Sequence, residues 1–127
     1  MMPIPLAVLA LFSLLTQQSM YRTVTLVLPH ALREGEIASL VVTVGVIPRG
    51  DEIKITTPSG RPLGVISPYG IRTGQEGGTY VVPLPPNAVS GRHLSVRFSV
   101  ITIGKPRAPT KKELKRVRVE VANVEGK

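Results

Sequence analysis

The stretch HLSVRFSVITI, residues 93–103, sets Leu94, Val96, Phe98 and Val100 against His93, Ser95, Arg97 and Ser99. Side chains of an extended chain point alternately to opposite faces, so a period of two fits a half-buried strand and not a helix. The same period recurs along the chain. In 23–28, Val24, Leu26 and Leu28 share a face before Pro29; in 39–47, Leu40, Val42, Val44 and Val46 do so. In 51–56, Ile53 and Ile55 oppose Glu52, Lys54 and Thr56. Residues 61–67 carry Leu63 and Val65 in phase, with Pro62 and Gly64 marking a short edge strand. Residues 79–84 align Tyr80, Val82 and Leu84, and Pro83 again argues for an edge. In 115–124, Val117, Val119 and Val121 oppose Arg116, Arg118 and Glu120.

These segments are separated by turn residues. Gly and Pro number twelve each, and they fall between the apolar runs as punctuation. Pro48, Arg49, Gly50 and Asp51 read as one turn, and Pro58, Ser59 and Gly60 as another; residues 70–78 form a Gly-rich connection. No stretch after residue 20 holds a helical period over three turns. The one helical candidate is TKKELKR, where Thr110 as N-cap and Glu113 three residues later can form a capping box around a turn or two. The core must be aliphatic, because Trp is absent and only 4% of the residues are aromatic.

Seven short strands with turns at regular spacing predict an all-β fold, a two-sheet β-sandwich. Over about the last hundred residues the layout resembles immunoglobulin-like and fibronectin type III-like domains, without the Cys…Trp…Cys core of true immunoglobulin domains. The order of GRHLSVRFSV and a following basic hairpin also resembles small periplasmic copper-binding sandwiches. Their N-terminal and late histidine ligands have no counterparts here, so that resemblance implies no metal site. In a sandwich of this kind the last two strands are expected to pair as a hairpin, with strand 51–56 beside one of them. One solvent face would then carry Glu52, Lys54, His93, Arg97, Arg116, Arg118 and Glu120, with the glutamates offsetting the arginines.

The N-terminal segment reads differently. An apolar run from Leu6 to Leu15 is too short to span a bilayer and suits the core of a signal peptide, so 1–19 is expected to be a leader and 20–127 the sandwich. No transmembrane span is expected after its removal. The protein is then secreted, periplasmic or extracellular; a start at Met20 would make it cytoplasmic instead.

The chain carries a net charge of +8, and this excess is local. Within 105–118, Lys105, Arg107, Lys111, Lys112, Lys115, Arg116 and Arg118 face Glu113 alone, which places six of the eight surplus charges there. Together with Arg97 on the neighbouring strand, these cations are the candidate binding residues, on a basic loop at 104–115 stiffened by Pro106 and Pro109. They suit sulfates, uronates, phosphates of lipid head groups or an acidic protein. Specific nucleic-acid reading is not indicated, because no aromatic is interleaved for base stacking and no recognised motif occurs. The loop holds one large apolar residue, Leu114, which argues against deep membrane insertion.

Catalysis has no visible constellation. Cysteine is absent, which removes thiolate metal sites and a cysteine nucleophile. His30 and His93 are far apart in sequence, and Glu34/Glu36 and Asp51/Glu52 read as solvated turn carboxylates. Arg49-Gly50-Asp51 spells a tripeptide that adhesion receptors read, but a turn between strands uses the same residues. The expectation is an exported, non-catalytic interaction or structural module, or alternatively an anion-binding module. Neither catalytic residue nor cofactor is assigned, and the partner is another envelope or extracellular protein or an anionic polymer.

Overall fold

The computed structural model describes residues 20–48, 50–67 and 78–124. The leader assigned to 1–19, Arg49 of the expected turn and most of the Gly-rich connection lie outside the described residues.

The chain forms β1 (Arg22–Val27), β2 (Glu36–Val44), β3 (Glu52–Thr56), β4 (Pro62–Ile66), β5 (Gly78–Pro83), β6 (Val89–Ser90), β7 (His93–Thr102), β8 (Lys105–Arg107) and β9 (Leu114–Asn123). The first sheet has the order β1-β7-β3-β4, with β6 and β8 also on β7; the second has the order β5-β2-β9. Every pairing is antiparallel. Apart from one 3₁₀ turn at Pro86–Ala88, the described residues contain no helix, and none is long and apolar enough to cross a membrane.

The period of two decides which side chains are enclosed. Leu94, Val96, Phe98 and Val100 of β7 and Ile53 and Ile55 of β3 are sealed on the inner face of the first sheet. Leu40, Val42 and Val44 of β2 meet them from the second, with Val117, Val119 and Val121 of β9 packed against the same core. Each such side chain removed from water contributes about 1.5–3 kcal/mol before the entropy of ordering it. β4 and β5 are edge strands, as their prolines predict.

Four expectations need correction. First, β7 and β9 do not pair: β8 turns back onto β7 through Thr102 and Lys105, while β9 joins β2 in the other sheet. The expected single charged face is therefore divided. Glu52, Lys54, His93 and Arg97 belong to the first sheet, and Arg116, Arg118 and Glu120 to the second. Second, Leu63 and Val65 do not share a face. A register shift makes Leu63 an extra residue opposite β3, so Leu63 packs on the core while Val65 is exposed. Third, β2 stops at Val44, and Val46 is 63% exposed. Fourth, Asp51 and Glu36 are not solvated. Asp51 is buried and accepts a hydrogen bond from Thr102 Oγ1 at 2.8 Å; Glu36 accepts one from the Arg33 amide at 2.7 Å.

Candidate binding site at the basic end of the sandwich

β7 and β2 finish, and β3 and β9 begin, at the same end of the sandwich, since Ile101 faces Glu52 and Val44 faces Leu114. Here the basic segment leaves β8, makes a turn and enters β9. The turn is the capping box expected from TKKELKR. The Glu113 amide lies 3.2 Å from Thr110 Oγ1, and the Thr110 amide donates to Glu113 Oε1 at 2.9 Å. The Leu114 amide donates to the Thr110 carbonyl at 2.9 Å, which closes a single helical turn and no more. The β9 strand starts at once because Leu114, the large apolar residue of the loop, is drawn into the core.

Two contacts fix this turn to the sheet. The Gly45 amide donates to the Glu113 carbonyl at 3.0 Å. A Cβ at Gly45 would collide with the carbonyl oxygen of Lys112 and lie 2.9 Å from Cε of Lys115, so the turn can pass this close only over a glycine. The register slips here: Thr43 faces Arg116 and Val44 faces Leu114, leaving Lys115 as the extra residue of a bulge.

The electrostatics of the turn run opposite to a simple cationic loop. Arg107 grips Glu113 with both arms, Nη1 to Oε1 at 2.8 Å and Nη2 to Oε2 at 2.7 Å, and its Nη2 stands 3.8 Å from Asp51 Oδ2. The hydrogen bonds from Arg107 hold the Glu113 carboxyl down at about 2, well below its ordinary 4.5, against the opposing effect of burial. The bond to Glu113 likewise raises Arg107 above its usual value. Asp51 is held inward by Thr102 and Arg107, so the Arg-Gly-Asp tripeptide does not offer its carboxylate to a receptor.

The candidate cations therefore separate by role. Arg107 is a structural clasp. Arg118 pairs with Glu120 at 2.7 Å, on an exposed face where such a pair adds little stability. It also flanks Val41, which faces outward yet is only 4% exposed, with Val81 on the other side. Arg97 lies in the other sheet, its guanidinium 4.1 Å from the centre of the Tyr21 ring and its Nε buried without a hydrogen-bond partner among the described residues. It does not join the cluster. Lys105, Lys111, Lys112, Lys115 and Arg116 are exposed and make no ion pair with any described residue.

Beside them, β1 and β9 form facing edges of the two sheets. An open cleft of about 180 Å³ lies there, lined by Arg22, Val24, Leu114, Lys115, Arg116 and Val117. Three cations thus line it beside Val24, Leu114 and Val117. Arg22 was not anticipated as a member of this site, because the sequence places it over ninety residues from the others and only the packing of the two edges brings it near.

Among the described residues no group of three or more His, Asp or Glu is placed to hold a metal ion. Compared with protein-family models, with curated proteins and with solved structures, the chain matches none.

Proposed function

We propose that this chain is an exported, non-catalytic β-sandwich that works as an interaction module and binds anionic partners through the end where β9 begins. The single observation that carries the reading is the division of labour within the basic segment. Arg107 and Glu113 satisfy each other inside the turn, Arg118 pairs with Glu120, and the other five cations stay outside with no ion pair to any described residue. A turn pinned by a capping box and a backbone contact at Gly45 holds those charges in place, which lowers the ordering cost of binding. Export, to a periplasm or an extracellular space, is supported by the apolar run in 1–19 followed by a polar stretch.

The test is retention on a sulfated polysaccharide column as salt is raised. Lys111→Gln, Lys112→Gln and Lys115→Gln together are compared with Arg33→Gln, Lys54→Gln and Arg61→Gln, which remove the same charge elsewhere. The first set should shift elution to much lower salt and flatten the salt dependence. Equal shifts from the two sets would mean that only net charge matters, and would end the reading.

A further inference from the structure

The same end of the sandwich carries a second chemistry that the cations alone do not explain. β7 and β8 are joined by Ile103 and Gly104, which have φ values of 50° and 74°. Two successive residues with positive φ make the tight turn that matches strand twist, and Asn or Gly normally occupies both positions. A β-branched residue there is strained, because its Cβ crowds the backbone. Ile103 is nevertheless the residue in place, and it is 94% exposed. It covers no core and relieves no cavity, so fold stability does not account for it.

Ile103 has an apolar companion. Val46, 63% exposed, follows Gly45, over which the Lys112 carbonyl passes. The two loops are stitched together beneath these residues: Thr102, next to Ile103, donates to Asp51 at the end of the loop that holds Val46. Lys105 directly follows the Ile103–Gly104 turn, and the Lys112 backbone and Lys115 side chain pass over Gly45 beside Val46, with Lys111 exposed next to Lys112. Apolar tips beside lysines that make no ion pair with any described residue match the boundary of an anionic bilayer, where phosphates lie above acyl chains. A soluble polyanion would use the lysines and leave the two apolar tips in water.

We propose that this end docks on an anionic lipid bilayer, with Ile103 and Val46 entering the headgroup–acyl boundary and Lys105, Lys111, Lys112 and Lys115 lying on lipid phosphates. This deepens the anion-binding reading and rests on it. Leu114, the one large apolar residue of the basic loop in the sequence, is buried in the core and takes no part.

The chain has no cysteine, so a single introduced thiol carries an environment-sensitive fluorophore to one site. Ile103→Cys, Val46→Cys and Ser59→Cys, each labelled in the full chain, are mixed with vesicles of phosphatidylcholine alone or with added phosphatidylglycerol. Ser59 is exposed in the β3–β4 turn at the opposite end. Labels at 103 and 46 should shift to the blue on the anionic vesicles only, and the label at 59 should stay unchanged. Neutralising Lys111 and Lys112 in the labelled Ile103→Cys chain should weaken the response about fivefold per charge. Equal shifts at 59 and 103, or no shift at 103, would overturn lipid docking. If the label at 103 is silent while the column result holds, lipid docking falls and the anion-binding reading stands; if both fail, both fall.

Discussion

The two ends of the sandwich are built from the same strands and turn in opposite ways. At the far end, where β7 begins, polar groups are satisfied locally and charges are mixed in sign, Arg33, Arg61 and Arg92 with Glu34 and Glu36. The Leu28 amide donates to the Arg92 carbonyl at 2.7 Å, and Arg92 Nε returns a bond to the Leu28 carbonyl at 3.0 Å. Thr57 closes the β3–β4 turn by accepting from the Arg61 amide, and its hydroxyl meets that of Ser59. At the basic end, one carboxylate, Glu113, organises the turn, and the charges it leaves unneutralised point outward. The difference teaches that surplus charge can be held rigidly only when something inside the turn opposes it. Arg107 and Glu113 supply that opposition; without them, five cations on one loop would repel each other into an open ensemble.

This contrast can be broken deliberately. The largest effect is expected from Gly45→Ala. Its methyl would strike the Lys112 backbone, which cannot move without losing the Gly45–Glu113 bond, so denaturant melts should show a loss of about 3 kcal/mol. Glu113→Gln comes next. It leaves Arg107 half-satisfied beside Asp51 and weakens the capping box, for a loss of about 2 kcal/mol after allowing for the solvent access of Arg107. At the far end, Thr57→Val removes both hydroxyl bonds of the turn, to the Arg61 amide and to Ser59, and about 1 kcal/mol is expected, with anion retention unchanged. The smallest change has the opposite sign. Ile103→Asn should stabilise the fold by up to about 1 kcal/mol by relieving the positive φ, as a thermal melt would register.

Acid should distinguish the ends as well. The folded carboxyl of Glu113 is depressed to about 2 from an ordinary 4.5, so its stabilisation is complete above the unfolded value and is lost as pH falls from 4.5 toward 2. The stability gap between the parent and Glu113→Gln should therefore be full at neutral pH and narrow through that window. A gap that stays constant on acidification would mean that Glu113 does not act through its charge.

Much of the fold was legible because burial follows parity. The alternation in β1, β3, β7 and β9 identifies the inward residues directly, and TKKELKR carries its own capping signal. The illegible part depends on non-local pairing or on single-residue slips. β8 is three residues with a central proline and no alternation, so nothing local announces that it, and not β9, returns onto β7. The bulges at Leu63 and Lys115 invert the parity of the residues beyond them, and a period of two cannot reveal an inserted residue. The site was half legible. Its cations are plain in 105–118, but the diversion of Arg107 into the turn needs Glu113 and Asp51 to be brought together in space. Ile103 reads in sequence as one more apolar residue of a strand; only its backbone conformation and exposure set it apart.

The most direct test tracks the backbone amide resonances of the protein while a short sulfated oligosaccharide is added. Shifts should concentrate at Gly45, Lys105, 111–116 and Arg22, with Arg33, the 57–61 turn and Arg92 left in place. Shifts spread evenly over both ends, or gathered at the far end, would contradict the claim that one rigid turn gathers the binding charge of this sandwich.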